Sequence, residues 1–170
     1  MKSSDEFIYL NNNLYRKISS HIPIICVDIV PVKQVKKVWK IGIIKRATGK
    51  EAGKLAILGG RIALNETIPE AIKRHLFRDL NIHKFNFYQI NDTQKPFYVQ
   101  QYFLGSESRK PYGFDPTKHA IALTYLVTIN EEPIPRDEAS AFSWIDRNQI
   151  PTKPAFNQDT VMQEVFNYLS

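Results

Sequence analysis

The segment from Thr67 to Leu80 constrains this chain more than any other. Ile68, Ile72, Leu76 and Leu80 recur every four residues with Ala71 beside them, which gathers apolar side chains into one stripe of an α-helix. Thr67 and Glu70 have the spacing of a capping box, in which each side chain satisfies an orphan amide of the first turn. Pro69 falls in that turn, where its missing N–H is tolerated. A helix is therefore predicted over 67–80, and its single apolar stripe needs another layer to cover it. Just upstream, Lys54 to Leu58 predicts a short strand running into Gly59-Gly60, followed by a loop from Arg61 to Asn65.

The rest of the chain supplies that layer. Ile22 to Val30 and Val38 to Lys45 are rich in Val and Ile and predict two strands joined by a turn near Pro31. Phe85 to Ile90, Phe97 to Leu104 and Ala120 to Ile129 predict three more, with a polar loop from Ser106 to Lys118. After the Pro133-Ile134-Pro135 turn, Ala141 to Ile145 predicts a short strand, and Val161, Met162, Val165, Phe166 and Leu169 have the spacing of a closing helix. Mixed strands with a central and a terminal helix point to an α+β fold. At 170 residues and 43% hydrophobic content, one domain spanning 1–170 is expected, with residues 1–20 as an N-terminal extension. Cys26 is the single cysteine, which excludes an internal disulfide and a cysteine-based zinc site; a small core residue is its expected role.

Net charge is +6, which allows an anionic partner without choosing among phosphorylated small molecules, RNA and membranes. RNA is disfavoured because the aromatics sit inside strand patterns and no tight Lys/Arg run interleaves with them. Apolar runs fall short of the ~18 residues of a membrane span, and the first twenty residues lack the pattern of a secretion signal. A cytoplasmic protein without a membrane partner is expected. Phe7, Ile8, Tyr9, Leu10 and Leu14 have no core role in a single-domain reading, so an exposed apolar patch and a homodimer are expected.

The stretch from Gly60 to Ile82 resembles the Nudix box: Gly, five residues, Glu, seven residues, Arg-Glu, an apolar residue, any residue, Glu-Glu, any residue, Gly and an apolar residue. Gly60, Glu66, Arg74, Leu76 and Ile82 fall on that spacing. His75 stands at the first Glu of the terminal cluster, Arg78-Asp79 at the Glu pair, and Asn81 at the Gly. The resemblance implies a Nudix-like α/β/α sandwich around a mixed sheet. Glu66 and Arg74 are read as holding the loop on the helix.

Within that superfamily the chain resembles the GDP-mannose mannosyl hydrolases, whose box is similarly reduced and keeps one metal-binding carboxylate at the place of Asp79. The match is gapless over 45–82 and extends over about 14–169. It implies hydrolysis of a nucleoside-diphosphate sugar, with Mg2+ as cofactor and release of sugar and nucleoside diphosphate; the alternative is a catalytically impaired module that binds a nucleotide or nucleotide sugar. Arg46 and Arg61 match diphosphate-binding arginines, beside Gly60. Asp28 matches a substrate-contacting Asp, and His119 a His near the sugar. Glu138 and Ala139 stand where the subfamily has a metal-binding Gln and a general-base His, so Glu138 is left as metal ligand or base. Magnesium is thus expected between Asp79 and Glu138, with carbonyls near Gly59 and waters completing an octahedron. The subfamily's dimerisation through its N-terminal region points the same way as the apolar patch.

Overall fold

A computed structural model describes residues 10–88, 95–105 and 111–170. In chain order the elements are α1 (Asn12–Ser19), β1 (Ile24–Val35), β2 (Val38–Arg46), β3 (Leu55–Ala56), β4 (Leu58–Arg61), α2 (Ile68–Leu80), β5 (Phe85–Phe87), β6 (Tyr98–Leu104), β7 (Gly113–Asp115), β8 (Ala120–Ile129), β9 (Ala139–Ile145) and α3 (Asp159–Leu169). Among the described residues the strands form one mixed sheet with the path β3-β2-β1-β8-β6-β7; β4 joins β1, β5 joins β8 and β9 joins β2. Strand β1 runs parallel to β8 and antiparallel to both β2 and β4.

The two faces of β1 define the layers. Val27 and Ile29 pack with Leu58, Tyr125 and Val127 beneath the α2 stripe of Ala71, Ile72, Leu76 and Leu80. Val30 and Val32 point the other way and pack with Ile41, Ile43 and Leu126 against Val161, Met162, Val165, Phe166 and Leu169 of α3. The period-2 alternation of the strands thus divides their side chains between two helix layers. This is the expected α+β sandwich.

Thr67 caps α2, and both hydrogen bonds of the capping box are present. Asn81 takes the left-handed conformation at the other end (φ 56°), which asparagine tolerates better than most residues and which serves where the box pattern has Gly. Glu66 accepts a bidentate pair from Arg74 at 2.6 and 2.7 Å and an amide hydrogen bond from Ala63, so the loop is fixed to the helix as expected.

Three expectations change, besides the short strand β7 inside the segment predicted as a loop. The β1–β2 turn lies at Lys36-Lys37, both with positive φ as a two-residue hairpin of the primed type requires, and not at Pro31. Pro31 stays in the strand because it falls between the stretch paired with β4, which ends at Ile29, and the stretch paired with β2, which begins at Val32. There its missing donor breaks neither ladder. Gly59, Gly60 and Arg61 belong to β4, in register with Asp28, Val27 and Cys26, so Arg61 closes a strand rather than opening a loop. The N-terminal extension carries a helix of its own, α1, capped by the Asn11 side chain. Phe7, Ile8 and Tyr9, on which the dimer expectation chiefly rests, lie outside the described residues, as do Gln89 and Ile90 of a predicted strand and residues 106–110 of the predicted loop.

Candidate functional site

A cavity of about 350 Å3 opens between β1, β4 and α2; its wall includes Asp28, Arg46, Gly59, Gly60, Arg61, Arg78 and Glu138. Of the sequence-predicted residues only Asp79 and His119 are off that wall. Asp79 is fully buried just behind it. His119 stacks on Phe103 at 4.9 Å, while the preceding residue, Lys118, faces the cavity. His119 thus lies in an aromatic stack on the sheet, off the cavity wall. Lys118 is held by Asp115 at 2.7 Å.

At the α2 end, the loop after β8 is docked on the helix terminus by backbone hydrogen bonds from Ile134 to Leu80 and from Arg136 to Asp79, and the Arg136 guanidinium reaches the Arg78 carbonyl. That docking brings Glu138 to Asp79. Between them lies Arg78. Its guanidinium grips Asp79 at both oxygens, 2.7 and 2.8 Å, and reaches Glu138 at 3.2 Å. The second oxygen of Glu138 is 3.8 Å from Arg46. Two carboxylates and two guanidinium groups therefore neutralise one another where the sequence predicts magnesium.

The residues present do not fit a divalent ion. Both oxygens of Asp79 are committed to Arg78, and the neighbouring His75 carries no charge: burial, with Arg74 and Arg78 nearby, pushes its pKa down to about 3. Its Nε2 meets the Arg61 carbonyl at 3.2 Å and its buried Nδ1 has no hydrogen-bond partner. Gly59 contributes space: a Cβ there would come within 2.1 Å of the Val27 carbonyl oxygen. At Gly60 a Cβ would meet the His75 ring at 2.5 Å, so the glycine lets the helix and β4 close on one another. Among the described residues no group of three His, Cys, Asp or Glu side chains gathers that could hold a metal ion. As paired here, Asp79 and Glu138 hold Arg78 at the place where the ion is expected.

The opposite end is built differently. Asp28, on β1, accepts a hydrogen bond from the Tyr102 hydroxyl at 2.8 Å, and Gln158 Nε2 lies 3.3 Å from that hydroxyl. Gln158 is anchored in turn by accepting from the Ile57 amide at 2.9 Å. Burial raises the Asp28 pKa to about 6 against the lowering pull of Tyr102, Lys118 and Gln158. Burial likewise pushes the Cys26 thiol up to about 12, so this cavity-wall cysteine is an inert thiol at neutral pH.

The two predicted phosphate-binding arginines face this space from aromatic supports. Arg61, at the end of β4, lies over the Tyr15 ring of α1 at 4.3 Å, and Arg46, at the end of β2, lies over Phe156 at 5.0 Å. Arg46 Nε is buried without a hydrogen-bond partner. Phe156 itself has φ 58°, a strained backbone for a bulky residue, held where its ring meets both Arg46 and Tyr102. Tyr15 gives the N-terminal extension a place in the site that the sequence alone did not.

From residue 6 to residue 165 the sequence matches the family described as Domain of unknown function (DUF4916). The chain belongs to the DUF4916 family. No curated protein matches this DUF4916 chain. Its fold is the Nudix hydrolase fold. A possible asymmetric diadenosine tetraphosphate hydrolase from Jonesia denitrificans superposes with a TM-score of 0.71 at 22% identity, over 87% of this chain and 95% of that one. The NUDIX domain of Shewanella oneidensis NrtR complexed with ADP ribose gives 0.61 at 17%, over 95% and 100%. A C. elegans Ap4A hydrolase gives 0.65 at 10%, over 86% and 97%.

Tyr15, Arg78, Tyr102, Lys118, Phe156 and Gln158 are among the cavity residues that sequence reasoning did not assign. A signal existed for Arg78, a cation at a carboxylate position of the box, and for Lys118, which alternates with His119 at a strand start. For Tyr102, Phe156 and Gln158 no local pattern marks them.

Proposed function

We propose that this DUF4916 protein takes a nucleoside-diphosphate derivative, a nucleotide sugar of the GDP-mannose or ADP-ribose kind, into the cavity, with the diphosphate against Arg46 and Arg61. The observation that carries this reading is the gathering of Arg46, Arg61, Arg78 and Lys118 around one cavity of about 350 Å3. Planar guanidinium groups offer paired N–H donors that match phosphate oxygens, and the volume lies in the range of small-molecule sites. The ligand class is supported by the ADP ribose in the Shewanella neighbour. A calorimetric panel of GDP-mannose, ADP-ribose and diadenosine tetraphosphate tests it; saturable binding of a diphosphate sugar is expected, and silence across the panel overturns it.

Asp28 favours a second step, hydrolysis of that ligand. A buried carboxylate with a pKa raised to about 6 is matched to accept a proton near neutral pH. In this reading Asp28 takes a proton from a water that attacks the anomeric carbon. The bond from that carbon to the diphosphate oxygen breaks, giving free sugar and a nucleoside diphosphate whose charge Arg46 and Arg61 hold. Glu138, engaged by Arg78 and Arg46, orients those guanidinium groups and is not the base. Proton NMR of the same panel, with magnesium and with EDTA, reads the step: Asp28→Asn should abolish sugar release and keep binding. Binding without turnover in the wild type removes hydrolysis and leaves the binding module.

A homodimer belongs to the same proposal, supported by the exposed Leu14, Ile22 and Ile25 near α1. Light scattering that reports a monomer at micromolar concentration contradicts it.

A further inference from the structure

We propose that the Arg78 guanidinium is a built-in replacement for the divalent cation, so that this protein engages its phosphorylated ligand without metal. In the box pattern the residue at 78 is a carboxylate, and here a cation stands there, one residue before Asp79 on the same helix. A charge reversal of this kind would leave an electrostatic hole anywhere the cation failed to find partners. Arg78 finds two: Asp79 at 2.7 and 2.8 Å and Glu138 at 3.2 Å.

Burial makes the arrangement exclusive. Asp79 has no exposed surface, and its carboxylate is stable there only with a charge-assisted partner at both oxygens. A magnesium ion would have to displace the guanidinium from Asp79 and then leave Arg78 beside a dication, two losses for one gain. Arg78 also differs from an ordinary salt-bridge arginine because it lines the cavity along with Arg46 and Arg61. Its side chain is about one-third exposed there, so while it grips Asp79 it still presents positive charge to a ligand. Magnesium performs those two tasks together when carboxylates hold it against a diphosphate. Here one covalently attached cation performs both, with no metal to acquire or lose.

The exclusion of metal stands on this geometry alone; the engagement of a phosphorylated ligand rests on the nucleotide reading above, and two probes separate them. Mn2+ alone, titrated into the full-length protein and followed by the loss of the free-ion electron paramagnetic resonance signal, reports the metal site directly. No binding is expected for the wild type up to millimolar metal. Arg78→Glu, which returns a carboxylate to position 78, should gain at least a tenfold higher Mn2+ affinity; should that variant not fold, Arg78→Gln removes the positive charge with a shorter polar chain and should gain in the same direction. Tight Mn2+ binding by the wild type overturns the proposal, and so does a folded variant that gains none. ADP-ribose, titrated in EDTA and then in magnesium, should bind the wild type with affinities within twofold. Binding that appears only with magnesium overturns the proposal and keeps the nucleotide reading. Absence of ADP-ribose binding in both media counts against the nucleotide reading, while the Mn2+ result still decides the metal.

Discussion

Asp79 at the end of α2 and Asp28 on β1 are both buried carboxylates beside one cavity, and their surroundings treat them in opposite ways. Asp79 is matched by a guanidinium at both oxygens, and Arg78 reaches on to Glu138, which Arg46 also approaches, so both carboxylates there are matched by cations. Asp28 is given a tyrosine hydroxyl and a glutamine behind it, and its pKa rises to about 6 because burial outweighs those hydrogen bonds. A carboxylate compensated within the fold depends on its cation and has no charge left to offer a metal or a proton. A charge left under-compensated costs stability and is available to a ligand or a proton. The difference separates the end of this cavity where fixed cations face the ligand from the end where a carboxylate can take up a proton.

Removing Arg78 should break the first half of that comparison with the largest effect. Arg78→Ala leaves Asp79 buried without its cation, and loss of one member of a buried pair costs roughly 3–5 kcal/mol. At about 2–4 °C per kcal/mol for a domain of this size, a fall in melting temperature of the order of 10 °C is expected by calorimetry. A shift below 2 °C would show that Asp79 does not depend on Arg78.

Asp28→Asn should move the other way. Between the ordinary carboxylate pKa of 3.8 and the folded value of about 6, the native state holds the proton more tightly than the unfolded chain, so stability declines as pH rises through that window and the cost is complete above it. The variant should be more stable than the wild type at pH 7 by about 3 kcal/mol, from roughly two units at 1.36 kcal/mol each, and the gap should close by pH 4. Equal stability at both pH values would contradict the raised pKa. His75 acts with the opposite sign: its folded pKa of about 3 lies below 6.5, so its contribution is present above pH 6.5 and is lost as pH falls towards 3.

Arg61→Ala sharpens the comparison on the ligand side. Loss of a charge-assisted contact to phosphate should weaken binding of ADP-ribose by roughly 1.5–3 kcal/mol, read by calorimetry, with little change in fold stability because Arg61 lies partly exposed over Tyr15. Thr67→Ala, outside both ends of the cavity, removes only the α2 cap and should cost about 1 kcal/mol of stability without altering ligand affinity. A loss of affinity there would mean that helix position, and not local charge, controls the site.

What the sequence discloses of this molecule follows how local each signal is. The helix α2 is legible because its cap, stripe and Glu66–Arg74 tether lie within a few turns of one another, and β8 is legible because a ten-residue run of β-formers needs no distant information. The Lys36-Lys37 turn is not, since Pro31 reads as a turn residue until the handover of β1 between two neighbours is known. Arg78 is visible as a misplaced cation, but its bridge to Glu138 depends on a loop docked from sixty residues away, of which Arg136 to Arg78, 58 residues apart, is one anchor. The Asp28–Tyr102–Gln158 chain spans separations of 74 and 56 residues and leaves no trace in any window of sequence. Lys118 displaces His119 from the cavity by strand alternation, a difference of one residue that resemblance alone does not resolve.

The central claim is that arginines, without a metal, bind the diphosphate of a nucleotide derivative at this cavity. Calorimetric titration of the wild type and of Arg46→Ala/Arg61→Ala with GDP-mannose and ADP-ribose in excess EDTA tests it most directly. One saturable site in the wild type for at least one of the two, lost in the folded double variant, is the predicted result; no binding in EDTA, or undiminished binding by the double variant, would contradict it.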